Sequence, residues 1–149
     1  YQRKGMVPDN YCSVPIGKAD IRRSGSDLTI VAYHHATLTA METADRLSEK
    51  DVQAEVIDLR SLRPLDMETT IDSVKRTNRV FLLEENWKTG GIMGEIAAQI
   101  QEQAFDHLDG PVVRIGANDV PHPYNRGLEQ AMISSTTDVL TAPEASFGI

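Results

Sequence analysis

The sequence predicts an α/β domain whose mostly parallel sheet is covered by helices on both faces, and three observations carry that reading. Short apolar runs alternate with longer segments of helical period. The runs are apolar at consecutive positions, as strands buried on both sides must be. The length, 149 residues with 40% apolar and 25% charged types, suits a single globular core. Strict alternation of strand and helix then calls for parallel neighbours joined by right-handed crossovers.

Leu28 to Tyr33 reads as the first parallel strand, bounded by the turn residues Ser24-Gly25-Ser26-Asp27. Leu38, Met41, Ala44 and Leu47 follow at helical spacing, with Glu42, Asp45 and Arg46 on the opposite face. Glu55 to Leu59 is the next strand. Asp66 is placed to N-cap a helix carrying Ile71 and Val74. Arg79 to Glu84 is the third strand. The helix after it carries Ile92, Ile96, Ile100 and Leu108 on one stripe, widened by Met93, Ala97 and Ala104, and is stopped by Gly110-Pro111. Pro111 to Ile115 makes a fourth strand, Gly127 to Ile133 a short helix, and Lys18 to Arg22 a candidate edge strand. With no internal repeat or linker, residues 1–149 read as one domain.

Composition narrows the function classes. Fifteen basic against 22 acidic residues give a formal charge of −7, which disfavours a generic grip on nucleic acid or anionic lipid and favours a basic partner. The lone Cys12 can form neither an internal disulfide nor a thiolate zinc site. No apolar run is long enough to span a membrane, and the start Tyr-Gln-Arg-Lys-Gly lacks both an initiator methionine and a signal-like apolar stretch, so the chain is expected to begin within a longer protein or after processing.

Few residues promise chemistry. Gly90-Gly91-Ile92-Met93-Gly94 lies between a strand and a helix start, where bare amides attract anions, but its spacing is neither a dinucleotide fingerprint nor a P-loop, and tight helix packing is the simpler role. His34 and His35 fall at the carboxyl edge of the first parallel strand, where open α/β sheets place ligands. Neighbouring strand positions face opposite ways, which makes them a poor chelate and favours rim or interface roles. Glu84 and Glu85 close the third strand on the same edge, with Arg60 and Arg63 as candidate partners. Trp87, the only tryptophan, suits an interface anchor as well as a core filler. Glu102, Asp106 and Asp109 form an acidic face along the long helix and its end, either solvated or docking a basic module. No nucleophile stands beside a base.

Six blocks resemble a known family: Ile16-Gly17-Lys18-Ala19-Asp20, Glu55 to Asp66, Glu84-Glu85 with Lys88-Thr89-Gly90-Gly91, Glu95-Ile96-Ala97-Ala98, Ala104 to Asp109, and Asp119-Val120-Pro121-His122-Pro123-Tyr124. In this order they are similar to the carboxyl-terminal domain of the β subunit of thiamine-diphosphate-dependent 2-oxo acid dehydrogenases, the E1 component, with pyruvate and acetoin members nearest. The resemblance runs from about residue 7 to the end. It implies a transketolase carboxyl-terminal fold, three layers α/β/α around a five-stranded mixed sheet whose first strand, Lys18 to Arg22, is the one antiparallel edge strand.

The resemblance also implies a role. The parent enzyme decarboxylates a 2-oxo acid on thiamine diphosphate with Mg and reductively acylates the lipoyl group of E2. The amino-terminal domain that lines that site has no counterpart here, so no catalytic, cofactor-binding or metal-ligating residue is expected in this chain. The expected partners are the E1 α subunit, a second E1 β subunit and the basic subunit-binding domain of E2, and the expected location is the bacterial cytoplasm, the mitochondrial matrix or a plastid. The family's E2 contacts fall on Asp109 and, through the terminal carboxylate, on Ile149. Truncating such a charge pair typically costs about 2 to 5 kcal/mol. Two departures stand out: Tyr33-His34-His35-Ala36 replaces the family's usual Tyr-Gly-Ser, and Pro143 predicts a helix break near Ala142, ahead of Ile149. The alternatives are the carboxyl domain of another transketolase-type enzyme, such as a deoxyxylulose phosphate synthase, and a free-standing flavodoxin-like anion-binding module.

Overall fold

Strand β2, Leu28–Ala32, is buried along its whole length, and the rest of the domain is arranged to cover it. The computed structural model describes residue 6, residues 9–10 and residues 12–148, the side chains of 143–147 excepted. The remaining elements are β1 Asp20–Arg23, α1 Ala36–Ser48, β3 Ala54–Asp58, α2 Met67–Thr77, β4 Val80–Trp87, α3 Ile92–Ala104, a 3-10 turn Phe105–His107, β5 Val113–Ala117, α4 Arg126–Met132 and α5 Thr136–Phe147. The sheet order is β1-β3-β2-β4-β5. β1 is antiparallel to β3 and every other pairing is parallel, the mixed five-stranded sheet that the resemblance implies.

Side-chain alternation along β2 and β4 divides the core in two. Leu28, Ile30, Ala32, Phe81 and Leu83 face α1 and α5, whereas Val31, Leu82 and Val80 face α2 and α3. Thr29 points to the second face, and its hydroxyl meets Ser73 Oγ at 2.7 Å and Thr77 Oγ1 at 2.6 Å, so a polar group buried in mid-sheet is satisfied by α2.

Three sequence expectations need correction. The buried stripe of α1 is Ala36, Thr37, Ala40, Thr43, Ala44 and Leu47 rather than one led by Leu38 and Met41. Small side chains let this helix approach the sheet closely, and Leu38 and Met41 are only partly buried. The long helix ends at Ala104, and the chain tightens into the 3-10 turn, so Leu108 reaches the core from beyond the helix, and Asp106 and Asp109 lie outside the helix that carries Glu102. Helix α5 continues through Pro143 instead of breaking near Ala142, and it packs Val139, Leu140 and Ala142 on the core. Ile149 lies outside the described residues.

Asp66 joins three elements. Its carboxylate caps α2 by accepting from the Thr69 amide at 3.2 Å and hydroxyl at 3.0 Å, and it accepts from the Ala19 amide at 3.0 Å just before β1. Burial pushes this carboxyl up, but those hydrogen bonds and the Lys18 ammonium at 3.9 Å outweigh it and hold it below the ordinary range. A lowered folded-state value contributes stability above the unfolded pKa of about 3.9, and that contribution is lost as pH falls through the folded value. Asp66→Ala is expected to destabilise the domain by about 2 to 3 kcal/mol at neutral pH, the lost cap plus the stranded Ala19 amide. Urea unfolding checks this, and the deficit should shrink as pH falls from about 3.9 toward the lowered folded value, where the unfolded chain takes up the proton before the native one does.

Candidate functional site: the carboxyl edge and Asp109

The carboxyl ends of β2 and β4 lie side by side in parallel register, with Ala32 opposite Leu83. Chain direction diverges there: β2 leads into α1 on one face and β4 into α3 on the other, the switch point at which open α/β sheets form crevices. Alternation sends Glu84 toward α3 and Glu85 toward α1, so two carboxylates adjacent in sequence occupy different surroundings.

Glu84 is 1% exposed. The Tyr33 hydroxyl donates to its Oε2 at 3.3 Å, while Oε1 has no hydrogen bond of its own. Burial pushes the Glu84 carboxyl above the usual range; the Tyr33 hydroxyl, the amides of Met93 and Ile92 and the Arg114 guanidinium pull it back only in part. Tyr33 is pushed up to about 12 by burial and then by the charges and hydrogen bond of the glutamates. Gly91 makes the arrangement possible, because a Cβ there would lie 2.2 Å from Glu84 Oε1 and 2.5 Å from the Trp87 carbonyl.

The head of α3 is therefore already occupied by a carboxyl from within the chain. A diphosphate brought to the Gly90-Gly91 turn would meet the Glu84 carboxyl, so these residues do not fit thiamine diphosphate, and the glycines serve close packing. Among the described residues, no group of three or more His, Cys, Asp and Glu side chains is arranged to hold a metal ion.

Glu85 takes the outer position. His34 Nδ1 lies 2.9 Å from its Oε2 and His35 Nδ1 3.4 Å from its Oε1. β2 ends at Ala32, so the histidines sit in a turn and converge instead of facing opposite ways. His34 has φ 55, the left-handed region that glycine adopts freely. Arg60 does not reach the glutamates; its guanidinium is 2.6 Å from Asp20. Trp87 is half-buried at the end of β4, opposite Ala117 beyond a register shift.

Asp109 is on the other side of the sheet, near the start of β4. Its side chain is 58% exposed, with Arg79 Nε 3.6 Å from Oδ2. Its amide donates to the Asn78 carbonyl at 2.8 Å, and Asn78 Nδ2 donates to the His107 carbonyl at 2.6 Å. Two grooves meet at Asp109. One, of about 400 Å³, is lined by Asp27, Asp51, Thr77 and Arg79; the other, of about 470 Å³, by Gln101, Phe105, Asp106 and Pro111. Sequence reading overlooked Asn78 and Arg79, although an Asn between a helix and a strand is a recognised C-terminal signal.

The raised Glu84 value fixes a pH dependence. A carboxyl whose folded pKa is raised keeps its proton after the unfolded chain has lost its own, so stability declines as pH rises above about 4.3. Glu84→Gln is expected to abolish that part of the decline, and urea midpoints of both proteins compared between pH 4 and 7 measure it.

Comparison with known proteins agrees with this architecture. The family model described as transketolase, C-terminal domain, matches residues 17–139. The mitochondrial pyruvate dehydrogenase E1 component subunit beta of Dictyostelium discoideum is 45% identical over 129 residues, covering 87% of this chain and 36% of that protein. The acetoin:2,6-dichlorophenolindophenol oxidoreductase subunit beta of Bacillus subtilis is 39% identical, covering 95% and 41%. A solved split-gene transketolase, an inactive beta4 tetramer, superposes with a TM-score of 0.78 at 30% identity, covering 94% of this chain and 44% of that one. The chain thus spans less than half the length of these relatives, and with a fold and a family model that agree over most of its residues, it belongs to the transketolase C-terminal domain family.

Proposed function

We propose that this chain is the carboxyl-terminal assembly and E2-docking domain of a pyruvate dehydrogenase-type E1 β subunit. The parent enzyme decarboxylates a 2-oxo acid on thiamine diphosphate and Mg and passes the acyl group to lipoyl-E2. The observation that carries the docking half is Asp109, an exposed carboxylate held at a fixed place between two grooves on an acidic domain. A basic subunit-binding domain is the complementary partner.

Assembly with an E1 α subunit and a second E1 β subunit is supported by a separate surface. Helix α4 has only Met132 buried, and Leu128 and Val120 are exposed on a largely apolar groove of about 630 Å³ lined also by Pro121, Pro123 and Ala131. In this reading the chain's own residues supply surfaces and rigidity, and the bond chemistry belongs to the other parts of the parent enzyme. The similarity to E1 β subunits favours this over another transketolase-type enzyme, and the carboxyl of Glu84 at the Gly91 turn counts against an anion-binding module.

Calorimetric titration with the E2 subunit-binding domain of a pyruvate dehydrogenase complex is expected to show saturable association that weakens in salt. Asp109→Ala should raise Kd by about ten-fold or more. An unchanged Kd removes the docking assignment. The same titration with thiamine diphosphate and Mg is expected to give no saturable heat; binding there would place cofactor contacts in this chain.

A further inference from the structure

Asp109 does not present its carboxylate unaided. Helix α2 ends at Asn78, which adopts φ 61 as the C-cap residue, and that left-handed turn does two things at once. It aims the Asn78 carbonyl at the Asp109 amide, 2.8 Å away, and lays the side-chain amide on the His107 carbonyl at 2.6 Å. One residue thereby grips the segment after the 3-10 turn on both sides of Leu108. The next residue, Arg79, has its backbone carbonyl fixed on the Thr29 amide at 2.8 Å, which anchors it to the central strand, and its guanidinium Nε lies 3.6 Å from Asp109 Oδ2.

We propose that the Asn78–Arg79 corner sets the strength of docking at Asp109, with Asn78 as a positioning residue and Arg79 as an intramolecular cation that an incoming basic group must displace. This rests on the docking reading above. The partner it fits is a basic segment whose lysine or arginine takes over the Asp109 carboxylate, and the acidic residues on either side, Asp27 and Asp51 in one groove and Asp106 in the other, favour further positive charge on it. An exposed ion pair such as Arg79–Asp109 holds its carboxylate weakly, so exchange is affordable, yet it subtracts from the net affinity.

The test is calorimetric titration of the full chain with the E2 subunit-binding domain. Arg79→Gln is expected to tighten binding roughly two- to five-fold, the fold-change that one exposed pair commands. Arg79→Lys, which keeps the charge, should stay near the native affinity. In an Asp109→Ala background the gain from Arg79→Gln should vanish, a coupling that a merely structural arginine would not show. Asn78→Gly keeps the left-handed turn but removes the bond to His107, and is expected to weaken binding several-fold while leaving the urea midpoint nearly unchanged. Tightening that persists without Asp109, or Arg79→Gln that leaves affinity the same or lower, overturns the proposal while the effect of Asp109→Ala keeps the docking reading intact. If the native chain does not bind, or if Asp109→Ala binds as well as it does, the docking reading falls and this inference falls with it.

Discussion

A strand with no solvent-facing side imposes the layout of everything around it. All five residues of β2 are buried, so both its edges must be hydrogen-bonded and both its faces covered. β3 and β4 take the edges in parallel, which forces each return path over a face of the sheet, and right-handed crossovers place α1 on one face and α2 and α3 on the other. The buried Thr29 hydroxyl shows how narrow the tolerance is: it is satisfied only because Ser73 and Thr77 come from the same side of α2. The divergence of α1 and α3 from adjacent strand ends is a consequence of this covering, and it creates the carboxyl edge.

That edge is organised by the pleat. Alternation puts Tyr33 and Glu84 on the α3 side, His34, His35 and Glu85 outside them, and so separates one buried carboxyl from one exposed carboxylate at consecutive positions. A carboxyl beneath the first amides of α3 occupies the place where an outside phosphate would gain most from the helix dipole. The Gly91 backbone closes over it, since any side chain there collides with Glu84. A turn that in isolation suggests ligand binding thus carries an internal contact between the Gly91 backbone and Glu84.

Much of the fold was legible because the strands are apolar at consecutive positions and the helix signals are strong. Asp66 reads as a cap from its place before Met67, and the structure adds that the same carboxylate also ties down Ala19. The stripe of α1 was misread because periodicity weights large apolar residues, whereas a helix lying close on a sheet buries its small ones, here Ala36, Ala40 and Ala44. The end of α3 was misread because a 3-10 turn keeps an apparently helical spacing for another three residues, Phe105–His107. The pairing of His34 and His35 with Glu85 depends on where β2 stops and on a left-handed backbone at His34, and neither leaves a mark in composition. Asp109 stood out by resemblance, but its ties to Asn78 and Arg79 are tertiary, bridging the end of α2 to the segment beyond α3.

Under the docking role proposed above, the placement of Asp109 accounts for how an acidic domain would select a basic partner without a deep site. Net charge of −7 steers any basic module toward the surface, but a diffuse field fixes neither register nor orientation. Orientation needs at least one carboxylate whose position is set by the backbone, and Asp109 has that through its own amide on the Asn78 carbonyl. It also needs apolar contact beside the charge, because an exposed ion pair alone contributes about 1 kcal/mol or less. Phe105, 62% exposed at the start of the 3-10 turn, supplies apolar area on the groove that Asp109 borders. The helix ends at Ala104, and the chain beyond the 3-10 turn brings the Asp109 amide to the Asn78 carbonyl at the α2–β4 corner while Phe105 stays exposed on the groove that Asp109 borders.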